Sequence, residues 1–392
     1  MIPRGAIESN FKSSVKIFTA EGVYPGKTSL DGSAAVDNFT DCYMHNVAYC
    51  ADATHPVDAA MRNYRCRDDA NMIVTMNHLA EDNMMDEPFE YGKYWHGYQV
   101  FLRPLLTVMD YGKIRILNGI VLAILLIVVL SLMVRRLSVG VAICFVVSLI
   151  MVHSGVIPWS LQFSTCYYIT LVSIIALLGF KWLSATWHRL LLCFFAIGAV
   201  TSYLDFFTTP VMTLGVPLTV MVLKSEDLRR WRPVLALCVV WFMGYSLMWA
   251  SKWLMAYLLA GYNPLEQVNE SIHLHSVGQE AEPIWVSWLK MMGLFKARWS
   301  PFSLSGLMRW GLVAILTITA LVIPKGRPVF NRYAVLLLVA MLTPLWYFAV
   351  AHHSYTHFFI TSRALIVCWF ASLCFLYKNI NFKQLKSHVF NK

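Results

Sequence analysis

Long apolar stretches, separated by short polar connections, fill most of the chain after residue 110. Nine of these stretches come near the roughly 17–25 residues that a helix needs to cross the hydrocarbon core of a bilayer. The pattern therefore predicts an all-α polytopic membrane protein with about nine transmembrane helices. The expected spans are Ile114–Val134, Val139–Pro158, Leu161–Phe180, Leu190–Leu204, Thr208–Leu223, Pro233–Leu259, Leu307–Ile323, Tyr333–Ala351 and Thr361–Tyr377.

The composition agrees with a membrane protein and excludes an ordinary soluble domain. Hydrophobic residues make up 58% of the 392-residue chain and charged residues only 14%, whereas a soluble domain carries about 25% charged residues. The net charge of +10 does not indicate a nucleic-acid partner, because the basic residues stand in short loops between apolar stretches. Fifteen of the 22 acidic residues precede Tyr111, in a polar N-terminal segment.

Basic residues follow every second predicted span, which indicates how the helices are oriented. The intervening connections near Pro158, Asp205 and His353 contain neither lysine nor arginine. Because loops rich in lysine and arginine stay cytoplasmic, we expect residues 1–110 and 260–306 to be external, at a plasma (inner) membrane. The basic residues concerned are Arg135, Arg136, Lys181, Arg189, Lys224, Arg229, Arg230, Arg232, Lys325, Arg327, Arg332 and Lys378.

This orientation divides the chain into five regions. No apolar stretch precedes Ile2 to carry the first region across the membrane, so a tenth, N-terminal helix is expected to be missing. The three cysteines of the first region, Cys42, Cys50 and Cys66, allow at most one disulfide. The regions are the external segment 1–110, six spans in 111–259, an external loop 260–306, three spans in 307–378 and a cytoplasmic basic tail 379–392.

Two external stretches have apolar side chains at helical spacing. The first runs from Tyr94 to Arg115, and the second from Ile284 to Trp299. Such stretches suit helices that lie in the membrane interface with aromatic rings at the level of the lipid headgroups. The apolar positions are Trp95, Tyr98, Phe101, Leu102 and Leu105 in the first stretch, and Trp285, Trp288, Met292 and Phe295 in the second.

Acidic residues near the membrane are the first candidates for chemistry. Asp37 and Asp41 are four residues apart and share one face if a helix begins there. Asp37 is then either a helix N-cap with Asp41 in the first turn, or the pair supplies a general base or a metal-binding carboxylate. Asp205 is the only acid between Asp110 and Glu226 and stands at the outer end of two short spans. An ionisable residue there indicates function, although it could also begin a turn.

Histidine and arginine side chains on the same side form the second group of candidates. His96 and Arg103 lie in the first amphipathic stretch, where arginine either extends to the interface or binds phosphate oxygens. The stretch HHSYTHFFITSRA places His353 and His357 four residues apart, and Arg363 begins the last span. No acid lies within 70 residues upstream, so we expect no metal site there. The favoured role is binding of an anion such as a lipid phosphate; histidines that only bind headgroups are the alternative.

This layout resembles the GT-C class of polytopic glycosyltransferases, which take sugars from polyprenyl-phosphate donors at the outer leaflet. That class is similar in its number of spans, its large first external loop with an acidic residue or pair, and its interfacial helices. The resemblance implies that Asp37 and Asp41 are the acid pair, with Asp68 and Asp69 as competing positions. It implies that residues 94–106 form the interfacial helix.

The resemblance also implies a mechanism. An external carboxylate would deprotonate the acceptor hydroxyl, and Arg103 or Arg363 would stabilise the departing lipid phosphate. A single displacement would invert the anomeric centre and needs no nucleotide. The implied partners are a polyprenyl-phosphate-linked sugar and the lipid bilayer. No cofactor is required, and a divalent cation stays open as an addition.

Two other classes of function compete with a transferase. A transporter or flippase of lipid-linked envelope intermediates would place polar residues near the bilayer midplane, whereas here they gather at the outer rim. A non-catalytic envelope assembly subunit would use the acidic external segment as a partner surface. Convergence of Asp37 or Asp41, Asp205, His357 and Arg363 around an outward cleft would favour the transferase.

Overall fold

The computed structural model describes residues 1–26, 35–67, 69, 71–83, 88–205, 207–277, 283–298 and 304–385. Within these ranges every regular element is a helix, apart from two isolated β-bridges. The α-helices are α1 Glu8–Glu21, α2 Asn38–Cys50, α3 Pro56–Arg62, α4 Met72–Ala80, α5 Gln99–Leu106, α6 Tyr111–Arg136, α7 Val139–Met151, α8 Leu161–Gly179, α9 Trp187–Leu204, α10 Val211–Lys224, α11 Trp231–Ala260, α12 Leu265–Val277, α13 Ile284–Arg298, α14 Leu304–Val322, α15 Arg327–Tyr333, α16 Val335–Ala340, α17 Leu342–Ala349, α18 Ala351–Thr356, α19 Phe358–Thr361 and α20 Ile366–Asn379.

The described part of the chain is all-helical, and its long apolar helices are those expected of a membrane protein. In the described ranges, six helical segments are long and apolar enough to cross a bilayer. They are Tyr111–Arg136, Leu161–Gly179, Trp187–Leu204, Trp231–Ala260, Arg327–Ala349 and Phe358–Asn379. The expected count of nine full spans is not confirmed, because three of the predicted positions hold shorter apolar helices. These are Val139–Met151, Val211–Lys224 and Arg309–Val322.

The N-terminal segment, residues 1–110, folds into its own small helical layer at one end of the membrane helices. Its apolar core joins α1, α2, α4 and α5 to the first turn of α6. A disulfide between Cys50 and Cys66 closes the layer at the end of α2, while Cys42 stays a buried thiol. One bridge is what three cysteines allow. The layer therefore packs directly on the first turn of α6, which brings the acids at the start of α2 close to the membrane helices.

Two glycines bring α9 and α11 into close contact. A Cβ atom at Gly198 would lie 2.1 Å from the carbonyl oxygen of Trp241, and one at Gly244 would lie 2.1 Å from that of Phe195. Small residues that let backbones approach are the usual means of packing helices in lipid, where no hydrophobic force drives them together. Alanine at either position would have to push the two helices apart.

The short helix α10 lies at the centre of the bundle. Every residue from Val211 to Leu223 is buried, against α8 on one side and α20 on the other. Its N-terminal end is connected to α9 by a few residues that include Asp205. This connection reaches the N-terminal layer and helps to form the cavity described next.

Candidate functional site

A cavity of about 240 Å³ with mixed polar and aromatic walls opens where the N-terminal layer meets the ends of the membrane helices, and we call it the Asp37 cavity. Its walls come from the start of α2, the loop before α5, the first turn of α8, the α9–α10 connection, α12 and the α18–α19 corner. Asp37 supplies the only carboxylate among the described lining residues. The lining residues are Tyr24, Asp37, Phe39, Thr40, Tyr43, Tyr91, Lys93, Tyr94, Gln162, Phe207, Thr208, Leu274, His353, His357 and Ile360.

Asp37 is the N-cap of α2, as one of the two sequence-based interpretations predicts. Its carboxylate accepts hydrogen bonds from the backbone N–H of Thr40 at 3.0 Å and from the Thr40 hydroxyl at 2.7 Å. Burial raises the pKa of Asp37 to about 7, although the Thr40 hydrogen bonds and the positive charge of Arg363 act in the opposite direction. The group therefore changes protonation state near neutral pH and borders a cavity that can receive a ligand.

Asp41 lies outside the cavity and is enclosed by donors. It accepts hydrogen bonds from the Tyr111 hydroxyl at 2.5 Å and from the backbone N–H groups of Leu161 and Gln162 at 2.9 and 3.0 Å. These two N–H groups begin α8 and have no partner within that helix. Asp41 therefore caps a membrane helix and holds the N-terminal layer on the bundle. The structure brings Asp37, not Asp41, to the cavity.

A buried arginine, Arg115, contacts residues next to both acids. Arg115 donates to Glu21 at 2.7 Å and to the side-chain oxygen of Asn38 at 2.7 Å, and it stacks on Tyr111 with 4.0 Å between guanidinium carbon and ring centroid. Asn38 follows Asp37 directly, and Tyr111 donates to Asp41. The network ties the start of α2 to α1 and α6. It fixes the position of the Asp37 carboxylate.

Asp205 shapes the cavity wall without lining it. Its carboxylate accepts from the backbone N–H of Thr208 at 2.9 Å and from the Thr208 hydroxyl at 2.6 Å, the geometry of a turn-forming aspartate. Within this turn Phe207 has a φ of +61° in the left-handed region, a conformation that costs about 1–3 kcal/mol for a residue with a side chain. The Phe207 carbonyl lies 3.1 Å from Nε2 of His353. The turn thus joins the α9–α10 connection to the histidine pair.

His353 and His357 both line the Asp37 cavity, with 4.9 Å between their ring centroids. Arg363 is only 1% exposed, donates to the carbonyl of Phe359 at 2.7 Å and lies 4.0 Å from the ring centroid of Phe163. It stands behind the cavity wall, and its charge reaches Asp37. Of the predicted anion-binding residues, the two histidines therefore line the cavity, and Arg363 lies behind its wall.

Arg103 and His96 lie elsewhere, so the expectation that they join the same site does not agree with their positions. Arg103 is buried and donates to the carbonyls of Ala48 at 2.5 Å, Ala51 at 3.2 Å and Ile2. The last carbonyls of a helix need donors from outside it, and Arg103 supplies them at the end of α2. His96 is buried on the same side, and burial lowers its pKa to about 3. Both residues border a separate cavity of about 330 Å³.

Lys93 lines the Asp37 cavity and has no counterpart among the sequence-based candidates. Its amine donates to the Ser271 hydroxyl at 2.5 Å and lies 5.3 and 5.5 Å from the ring centroids of Tyr91 and Tyr94. Burial lowers the pKa of Lys93. The lysine therefore brings a basic side chain to the same cavity as Asp37. A lone lysine between aromatic residues carries no spacing signal, which is why the sequence does not reveal it.

Gln162 is the second lining residue that sequence reasoning misses. Only 5% of it is exposed, and its side-chain oxygen has no hydrogen-bond partner in the described part of the chain. A buried amide oxygen without a partner is unfavourable by about 1–3 kcal/mol. Because Gln162 borders the cavity, a ligand hydroxyl or N–H is the natural donor to it. The signal available was a polar residue in the first turn of a predicted span.

Metal binding has little support in the described residues. No three His, Cys, Asp or Glu side chains are grouped there so that they could hold a metal ion. Of the competing acids, Asp69 pairs through one carboxylate oxygen with Arg67 at 2.6 Å and with His78 at 3.1 Å. Asp68 lies outside the described residues.

Comparisons with known proteins add no assignment to this geometry. No family model matches the chain, and no curated protein or solved structure shows significant similarity to it.

Proposed function

We propose that this protein is a membrane glycosyltransferase that moves a sugar from a polyprenyl-phosphate donor to a cell-envelope acceptor, at the Asp37 cavity. The observation that carries the proposal is the Asp37 carboxylate, which borders a polar, aromatic-lined cavity and has a pKa raised by burial to about 7. A general base is most effective when its pKa lies near the working pH. Asp41 has no such opening, since helix α8 and Tyr111 occupy it.

The proposed reaction is a single displacement. The acceptor hydroxyl oxygen forms a bond to the anomeric carbon, and the bond from that carbon to the lipid phosphate oxygen breaks. The bonding electrons leave with the phosphate, and Asp37 takes the hydroxyl proton. Positive or hydrogen-bonding groups around the cavity, namely Lys93, His353, His357 and the nearby Arg363, would stabilise the departing phosphate. The aromatic rings of the wall suit the faces of a sugar ring.

An apolar groove of about 420 Å³ supports a lipid-linked donor. It lies between α5, α6 and α8, and Met44, Phe101 and Tyr168 are among its lining residues. Leu161 lines this groove, while the next residue, Gln162, lines the Asp37 cavity. We propose that the polyprenyl chain lies in the groove and its phosphate near the first turn of α8. Phe101 is 61% exposed on α5, as an interfacial helix would require.

The same proposal includes the finer membrane topology. The six long apolar segments and three shorter apolar helices would together cross a plasma (inner) membrane nine times, with the N-terminal segment external and the C-terminal tail cytoplasmic. Basic residues in alternate connections favour this orientation. The Cys50–Cys66 disulfide favours it as well, because such bonds persist in oxidising compartments.

The test is glycan and glycolipid profiling of a strain that lacks the gene, complemented with variants. We expect deletion to remove one glycoconjugate and the wild-type gene to restore it. Asp37→Asn should fail to restore it, because loss of a general base slows transfer by about 10²–10⁴-fold. Asparagine remains a good N-cap, so the start of α2 should stay folded.

The matched control is Asp52→Asn, which neutralises an exposed acid of the same segment that pairs with His55. It should restore the glycoconjugate fully. An unchanged glycan and glycolipid profile in the deletion strain would argue against a transferase. Full restoration by Asp37→Asn would instead remove Asp37 from the reaction.

A further inference from the structure

A two-part groove lies at the opposite end of the bundle from the Asp37 cavity. Its first part, of about 650 Å³, runs between the start of α11 and α15–α16, and we call it the basic groove. It is lined by Arg229, Arg230, Trp231, Arg232, Asn331, Ala334, Val335 and Leu338. The second part, of about 470 Å³, follows the contact between α9 and α11, and we call it the seam groove. It is lined by Trp187, Leu191, Trp231, Arg232, Leu235, Ala236, Val239 and Val240.

The arginines of the basic groove differ in how far their charge is compensated. Arg229 donates to Glu226 at 2.8 Å and stacks on Tyr333, so it is held within the protein. Arg230 and Arg232 are exposed, and neither forms an ion pair with a carboxylate in the described ranges. Arg232 lies over the Trp231 ring at 5.4 Å. Two uncompensated guanidinium groups therefore face one groove.

The seam groove is apolar where the basic groove is charged, and the two share Trp231 and Arg232. From Trp231 to Val240 the seam groove extends about 13 Å along α11, at roughly 1.5 Å per residue. Trp231 is 56% exposed and Trp187 is 40% exposed, at the start of two membrane helices. Indole rings at such positions mark the headgroup level of a bilayer. The apolar part therefore points toward the hydrocarbon core, and the charged part lies at the surface.

We propose that this two-part groove binds one phospholipid with an anionic headgroup. Its phosphate lies between Arg230 and Arg232, and one acyl chain follows the seam between α9 and α11. Guanidinium groups bind phosphate oxygens through paired hydrogen bonds. A net negative headgroup suits two uncompensated arginines, whereas a zwitterionic lipid adds its own positive charge. The site is separate from the Asp37 cavity and does not depend on the proposed transfer reaction.

The test measures lipid retained by the purified full-length protein by native mass spectrometry, after titration with phosphatidylglycerol or phosphatidylcholine. We expect one phosphatidylglycerol to be retained preferentially. Basic side chains at a membrane surface attract anionic lipid strongly enough that each one removed should weaken binding about fivefold. Arg230→Gln with Arg232→Gln should therefore lose most of the bound lipid. The matched control is Arg135→Gln with Arg136→Gln, which removes two exposed consecutive arginines at the end of α6 and should retain it.

A second pair of variants separates a lipid from a free phosphate. Val239→Trp and Leu191→Trp fill the seam groove from α11 and from α9, and each should lower phosphatidylglycerol retention while both arginines remain. Inorganic phosphate and glycerol phosphate should bind far more weakly than the lipid. Equal retention of the two lipids, equal loss in the two double-arginine variants, or tight binding of inorganic phosphate that survives both tryptophans would overturn the proposal.

Discussion

Asp37 and Asp41 lie one helical turn apart at the start of α2, and their side chains are 1% and 0% exposed. Asp41 accepts hydrogen bonds from the hydroxyls of Tyr111 and Ser160 and from two backbone N–H groups of α8. In the described ranges Asp37 accepts from Thr40 alone and borders a cavity. Burial therefore does not distinguish the two carboxylates. They differ in the number of donors bound to them and in access to the cavity, and this difference is why the proposed reaction uses Asp37.

The two arginines near these acids also differ in how they interact with them. Arg115 donates to Glu21 and Asn38 and forms part of the closed network around Asp41. Arg363 acts on Asp37 through its charge and stands behind the cavity wall. Arg115 therefore belongs to the hydrogen-bonded network of the closed acid, whereas Arg363 acts on the acid at the cavity by charge from behind the wall.

The largest effect should come from removing the Asp41 carboxylate, whose hydrogen bonds join the N-terminal layer to α8. Asp41→Ala leaves the N–H groups of Leu161 and Gln162 without their side-chain acceptor and removes the shorter of the two hydrogen bonds of the Tyr111 hydroxyl, so we expect a loss of about 3 kcal/mol in the free energy of unfolding. Thermal unfolding in detergent, followed by size-exclusion fluorescence, measures it. Asp41→Asn keeps one acceptor oxygen and should fall between Asp41→Ala and wild type.

The stability of Asp41→Ala is to be compared with that of a matched variant at Asp37. Asp37→Asn should unfold at nearly the wild-type temperature, because asparagine caps a helix as well as aspartate does. If Asp41→Ala were as stable as the wild-type protein, the assignment of Asp41 to the cap of α8 would be wrong. If Asp37→Asn were the less stable of the two, the contrast between the acids would be reversed.

The next largest effect should be a pH dependence of transfer and of stability that comes from the ionisation of Asp37. A carboxylate must be ionised to accept a proton, so transfer should rise with pH, about tenfold per unit, and level off above a pKa of about 7. The stability should change in the opposite direction. Because the folded-state pKa of Asp37 is raised above its unfolded value of about 3.9, the folded protein binds more protons between these values. Stability is then lost as the pH rises toward 7.

Asp37→Asn is the control for both curves. It should remove this component from the pH dependence of the unfolding temperature between pH 4 and 7, since asparagine does not titrate there. Wild-type and Asp37→Asn curves that run parallel across that interval would show that Asp37 ionises like an exposed acid.

Apolar periodicity could predict the all-helical membrane fold, because helix length and hydropathy are local properties. It could not predict that Arg103 would serve the end of α2, since that contact joins residues 55 positions apart. Spacing placed Asp37 and Asp41 on one face, but which of them meets α8 depends on how the N-terminal layer docks. His353 and His357, which line the cavity, could be singled out because they stand together in the sequence, whereas the lining residues Lys93 and Gln162 stand alone. A local pattern reveals a site only where the site residues are themselves local.

The smallest effect should come from Gln162. Its backbone N–H donates to Asp41, while its side chain borders the Asp37 cavity. Gln162→Ala removes an amide oxygen that has no partner in the described residues, so the apparent affinity for substrate should fall by about five- to tenfold, the loss of one hydrogen bond. The unfolding temperature should not fall, because the Asp41 contact uses the backbone N–H.

Gln99 offers a matched control, since its side-chain oxygen also lacks a partner in the described residues but lies at the separate cavity beside Arg103. Equal changes in Gln162→Ala and Gln99→Ala, measured as KM in a vesicle transfer assay, would mean that Gln162 does not contact the substrate. A change in Gln162→Ala alone would place the substrate at the first turn of α8, one residue from the groove assigned to the lipid.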